Sequence, residues 1–167
     1  LGTAARLAAQ VSAAVPGATL AWNPEFLREG FAVQDTISPD RCVYGVPDGD
    51  AGQAAVEALD EVYAEALASG TPRLVVNLPT AELVKISANA FLATKISFIN
   101  AMAELCEATG GDVTAPAAAI GHDARIGRSL LNARPRFAAR CLPKDTPPLL
   151  PPAGDPGVAQ APAFLPP

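Results

Sequence analysis

From Thr80 to Thr109 the chain runs for about thirty residues without a single Gly or Pro. Pro79 stands at its head and Gly110-Gly111 at its foot. Apolar residues recur through it at helical spacing, so the run predicts one continuous α-helix. Globular helices usually span 8–20 residues, and a longer one typically bridges domains or packs against a copy of itself. Whatever surrounds this rod must therefore be built along it. Past the glycines, Asp112 is expected to cap a shorter helix ending near Ile120, and Gly121-His122-Asp123 reads as the next break.

Upstream of Pro79 the pattern is different. Thr3 is a candidate N-cap for a helix over residues 4–15, closed by Gly17. Residues 18–22 read as a short buried strand halted by Asn23-Pro24, and residues 41–46 and 73–77 as two more strands. A helix over 50–67 separates the last two. Strands alternating with helices imply parallel βαβ units. Three strands are too few for a doubly wound sheet, so residues 1–77 are expected to be the tail of a sheet with further strands upstream. A chain opening on Leu1 rather than Met fits that expectation of a fragment. The reading is thus α/β followed by all-α, with domains over 1–78 and 79–147. Residues 148–167, rich in proline, are expected to be a linker or disordered.

Composition narrows the function. A net charge of −5 leaves no basic footprint for nucleic acid. Any anionic ligand must be gripped locally by Arg, Lys or helix N-termini. Three cysteines without short spacing fit neither a disulfide framework nor a metal cluster, which points to a reducing, cytoplasmic setting. No apolar run approaches the roughly 18 residues of a membrane span, and no charged-then-apolar leader opens the chain.

Several residues are equipped for chemistry. Cys141 lies outside the apolar patterns, with Arg140 before it and Lys144 and Asp145 just after. Nearby cations and a helix start at Pro143 would favour the thiolate, the reactive form; the plain alternative is a loop cysteine with no task. Glu25 and Glu29 follow a strand end, where ligands bind in open α/β sheets. In a helix they would share one face, or else simply favour the dipole of a solvated helix start. Lys85 and Asn89 are also four apart on the long helix, a pair able to hold an oxyanion, unless Lys85 only snorkels to water. Arg125 and Arg128 are candidates for a phosphate or sugar. His122 reads as a capping or surface residue, and Cys42 and Cys106 as inert core.

Five segments occur in a telling order: Asn-Pro-Glu-Phe-Leu-Arg-Glu-Gly (23–30), Ser-Pro-Asp-Arg (38–41), Thr-Ala-Glu-Leu-Val-Lys through Phe-Ile-Asn (80–100), Arg-Ile-Gly (125–127) and Cys-Leu-Pro-Lys-Asp (141–145). Together they resemble the nucleotide-sugar 6-dehydrogenase family over residues 2–146, and its UDP-glucose and GDP-mannose branches more than the N-acetylmannosamine branch. The resemblance implies a Rossmann-like NAD-binding domain, of which 1–78 is the C-terminal part, then a central helical dimerisation domain. It implies oxidation of a nucleotide sugar's C6 alcohol to carboxylate (UDP-glucose to UDP-glucuronate) with two NAD. Cys141 would capture the aldehyde as a thiohemiacetal and then carry a thioester, dividing a hard oxidation into easier steps. Lys85 and Asn89 would stabilise the oxyanion, Asp145 would move protons through water, and Glu25 would aid thioester hydrolysis. Phe26, Leu27, Arg28, Glu29, Arg125 and Phe137 would contact substrate, with Arg125 reaching across a homodimer interface on the helix 80–109. Glu25, Cys141 and Lys144 would face the cofactor.

Two departures stand against the family pattern. The family's Gly-Pro-Gly-Phe-Gly-Gly-Ser before the cysteine is here Arg134-Pro135-Arg136-Phe137-Ala138-Ala139-Arg140. Each left-handed position taken by a non-glycine residue costs roughly 1–2 kcal/mol, and arginine side chains would crowd the substrate. The nucleotide-binding Gly-x-Gly-x-x-Gly is expected upstream of this chain, which alone should not bind NAD productively. Two other readings therefore stay open: a GDP-mannose 6-dehydrogenase, and a catalytically inactive helical dimerisation module.

Overall fold

The computed structural model describes residues 2–133. Cys141 with its neighbours, and the proline-rich residues 148–167, lie outside the described residues. The chain forms two compact units that meet between Lys85 and Ile86, inside the longest helix.

The first unit opens with α1 (Thr3–Ala14). Thr3 is not its cap. Gly2 holds the cap position at φ 80° with no side-chain bond of its own. The carboxylate of Glu82 instead accepts the Gly2 N–H at 2.6 Å and the Ala4 N–H at 2.7 Å. A charged carboxylate offers two acceptors to the positive helix end, where a threonine hydroxyl offers one neutral oxygen. The strand expected over 18–22 shrinks to one antiparallel bridge, in which the N–H groups of Trp22 and Gly45 each donate to the other's carbonyl at 2.7 and 2.8 Å.

After a single short helix, α2 (Ala32–Ile37), comes β1 (Cys42–Gly45), buried at every residue. The expected helix over 50–67 is two helices, α3 (Asp50–Val62) and α4 (Ala64–Ala68). They part at Tyr63, whose ring centroid lies 6.1 Å from that of Tyr44 and whose hydroxyl accepts from Asn23 at 2.6 Å. Tertiary bonds at one residue thus interrupt a pattern that sequence alone reads as unbroken. Gly70 at φ 93° ends α4, with the Thr71 N–H on the Ala66 carbonyl and the Gly70 N–H on Leu67. That is a Schellman closure, which requires a left-handed residue at this place. β2 (Arg73–Val76) then pairs with β1 in parallel, Cys42 opposite Arg73 and Gly45 opposite Val76. The expected βαβ unit is present. Its core gathers Cys42, Tyr44, Val46 and Val56, with Ala21, Leu59 and Tyr63 packed against them.

The thirty-residue run is indeed one helix, α5 (Leu78–Thr109). It starts two residues earlier than expected because Pro79 sits in its first turn, where a missing N–H is no loss. The Asn77 side chain accepts the Thr80 N–H at 2.9 Å and so caps it. Gly110 at φ 76° and the Gly111 N–H on the Cys106 carbonyl close its far end.

In the second unit the later turns of α5 are joined by α6 (Thr114–Gly121). Asp112 accepts the Thr114 N–H at 3.0 Å and also its hydroxyl, one residue ahead of the cap position. Ile99, Ala117 and Leu131 form the core here, with Met102, Val113 and Ile120 around them. Among the described residues no helix is long and apolar enough to cross a membrane.

Candidate active site

The segment after Trp22 is where the predicted residues begin to converge. Residues 23–28 take no regular structure, so Glu25 and Glu29 do not share a helical face. A turn from Arg28 to Phe31, with Gly30 at φ 85°, ends the segment. Glu25 folds back on this segment, its Oε2 accepting the Leu27 N–H at 2.7 Å. Its Oε1 accepts from Lys85 Nζ at 3.1 Å, across 60 residues of sequence. Lys85 therefore does more than snorkel; its side chain is 23% exposed and points at a carboxylate.

Phe26 joins the pair. Lys85 Nζ stands 5.5 Å from its ring centroid, and the Arg41 guanidinium lies over the ring at 3.8 Å. Both distances are within reach of cation–π attraction. Beside Glu25 and Phe26 a cavity of about 230 Å³ opens between Leu27, Arg41, Asn23 and Tyr63. Arg28 is turned aside: its guanidinium grips Asp35 with three contacts of 2.5 to 3.2 Å and lies 5.1 Å over Phe31. The bond from Arg28 pulls the Asp35 carboxyl down from 3.8 to about 2. Leu27 and Glu29 are exposed.

Asn89 belongs to the second unit, half-buried and one turn further along α5 than Lys85. In that unit Lys95 Nζ donates to the carbonyls of Ile126 and Gly127 at 3.0 and 3.4 Å, tying the Arg-Ile-Gly turn to the helix. Arg125 is 89% exposed and fixed by Asp123, its Nη2 2.6 Å from Oδ2. Arg128 is exposed, and His122 is the exposed C-cap of α6. Cys42 is buried and its thiol is pushed up by that burial, as inert core should be, while Cys106 is half-buried. Phe137, Cys141, Lys144 and Asp145 lie outside the described residues.

Four participants escaped the sequence reading. Arg41 was visible only as the end of a motif, Asp35 and Lys95 as ordinary charges, and Glu82 as one acid on a long helix. Each acts on a residue distant in sequence or through a backbone atom, and neither spacing nor periodicity encodes that.

Residues 79–163 match the central domain of the UDP-glucose/GDP-mannose dehydrogenase family, and residues 2–67 match its NAD-binding domain. The chain belongs to this family. Among its relatives, the UDP-glucose 6-dehydrogenase of Rickettsia typhi is 49% identical over 126 residues, covering 75% of this chain and 28% of the relative. UDP-glucose 6-dehydrogenase 1 of Arabidopsis thaliana is 51% identical over 123 residues, 74% of this chain and 25% of the relative. Among solved structures, a UDP-glucose dehydrogenase from Pyrobaculum islandicum superposes with a TM-score of 0.73 at 41% identity, over 83% of this chain and 31% of that one. A GDP-mannose dehydrogenase from Pseudomonas aeruginosa gives 0.56 at 29% identity, over 77% and 28%. The chain thus spans between a quarter and a third of the length of the relatives it matches. Its architecture is the family's: a parallel sheet with helices, then a helical central domain.

Family membership implies NAD. A dinucleotide's pyrophosphate is held at a helix N-terminus presenting free N–H groups. At α1 that place is filled by the Glu82 carboxylate, and α3 opens on Asp48, Gly49 and Asp50. Acids at both positions repel a phosphate, so neither of these two helix starts suits the pyrophosphate.

Proposed function

We propose that the protein containing this chain oxidises the C6 hydroxymethyl group of UDP-glucose to a carboxylate. In balance, one alcohol, one water and two NAD⁺ give one carboxylate, two NADH and three protons. NAD supplies the oxidising capacity; the residues of this chain act on the sugar carbon. Cys141 is the nucleophile that keeps the aldehyde covalently held, and water later releases the acid from its thioester. Lys85, with Asn89, offers positive charge and a donor to the oxygen on which negative charge develops. Glu25 accepts a proton from the hydrolytic water, and Asp145 moves protons by the same route. Phe26, Leu27, Glu29 and Phe137 line the sugar, Lys144 faces the cofactor, and Arg28 holds the loop through Asp35.

The observation that supports this reading is the meeting of Glu25 and Lys85 at 3.1 Å beside the Phe26 ring. A lysine kept next to a carboxylate, 23% exposed, is oriented before substrate arrives. We further propose a homodimer along α5, where Phe91, Phe98 and Leu105 recur every seven residues and are 66%, 48% and 56% exposed. Arg125 would be presented to the partner subunit from its Asp123 anchor. Free thiols at Cys42 and Cys106 suit the cytoplasm.

The test uses the full-length protein with UDP-glucose and with GDP-mannose, following NADH. Two NADH per UDP-glucose are expected, with Cys141→Ala abolishing turnover and Lys85→Ala lowering kcat about 10²–10³-fold. Faster turnover of GDP-mannose moves the protein to the family's other branch. One observation favours a second reading, an inactive dimerisation module: the Arg134–Arg140 segment replaces the family's glycines. Silence with both sugars, and thiol reagents attacking Cys141 no faster than Cys42 and Cys106, would leave that inactive module the better reading.

A further inference from the structure

Glu82 is 5% exposed, unusually buried for an acid. Its two oxygens take the N–H groups of Gly2 and Ala4 at 2.6 and 2.7 Å, 80 and 78 residues away in sequence. Bonds of that length to a carboxylate are charge-assisted and among the stronger ones a protein makes. Next to it Ala81 is wholly buried, so close to β1 that a methyl on Gly45 would meet its Cβ at 2.5 Å. The first turns of α5 are therefore clamped, by Ala81 against the strand and by Glu82 against the start of α1.

Lys85 comes three residues after Glu82, about one helical turn on. We propose that Glu82 is a positioning residue for Lys85: by locking α5 about its own axis, it aims the ammonium at Glu25 and the Phe26 ring. This rests on the reading of Lys85 given above. The lever is long. A helix carries its Cα atoms about 2.3 Å from the axis, and an extended lysine takes its nitrogen roughly 8 Å out. A rotation of only about 20° would move Nζ by some 3 Å, as far as its present separation from Glu25. Displacements of about 1 Å near a reacting atom can cost about 10²-fold in rate.

Glu82→Gln keeps the side chain's shape but turns an NH₂ towards one backbone N–H. In the full-length protein it should lower kcat for sugar oxidation about 10–100-fold while KM stays within about threefold. A double-mutant cycle separates aiming from general support. If Glu82 acts through Lys85, then adding Glu82→Gln to Lys85→Ala changes kcat no further; a structural role would make the two losses multiply. Glu82→Asp, able to keep one of the two bonds, should recover part of the rate and guards against a variant that does not fold. Unchanged kcat in folded Glu82→Gln, or multiplying losses in the double variant, would overturn the inference while leaving the enzyme reading intact. Failure of the unmodified protein on both sugars would instead overturn the reading beneath it.

Discussion

At the scale of single residues, Arg28 and Asp35 show how a candidate contact becomes a brace. The pair is bidentate, and the Arg28 backbone N–H also donates to Asp35 Oδ2 at 2.8 Å. The folded carboxyl titrates near 2 rather than 3.8, because Arg28 holds it charged. Between those values the unfolded chain binds more protons than the folded one, so stability is complete above the ordinary value and drains as pH falls towards 2. Asp35→Asn should melt lower than the unmodified protein at neutral pH, with the two melting temperatures converging as pH approaches 2. A gap that persists unchanged at pH 2 would mean the pair contributes nothing through charge. The motif 23–30 marked Arg28 as interesting, but its partner stands seven residues on, in a helix the sequence reading did not include.

At the scale of elements, the crossing of β1 by α5 sets where the lysine turn begins. Gly45 lies at that crossing, and a Cβ there would come within 2.5 Å of Ala81 Cβ and 3.1 Å of the Trp22 carbonyl. Gly45→Ala should therefore destabilise by about 1–3 kcal/mol, the usual range for overpacking. Thermal melting would show it, and a melting temperature equal to the parent's would mean the crossing is looser than described. The elements themselves were largely legible. Parallel pairing of β1 and β2, the glycine closure at Gly110, and the unbroken course of α5 from Thr80 onward follow from local pattern. The single bridge at Trp22 and the helix break at Tyr63 were not, since partners distant in sequence, Gly45 for the one and Tyr44 and Asn23 for the other, decide them.

At the scale of the molecule, the exposed stripe of Phe91, Phe98 and Leu105 asks for cover. Apolar rows at seven-residue spacing suit helix–helix packing. If the proposed homodimer packs along α5, Phe98→Asp should shift the full-length protein from dimer towards monomer in sedimentation velocity. A variant that stays dimeric would place the interface elsewhere.

Sequence by itself determined the alternation of strands and helices, the unbroken rod of α5, and the ordered motifs that mark the family, because these rest on periodicity and on neighbours along the chain. Tertiary structure alone decided that Glu25 meets Lys85, that Arg41 lies over Phe26, and that Glu82 rather than Thr3 closes α1. Those contacts join atoms far apart in the chain, and only the packing of β1, α1 and the first turns of α5 brings them within bonding distance.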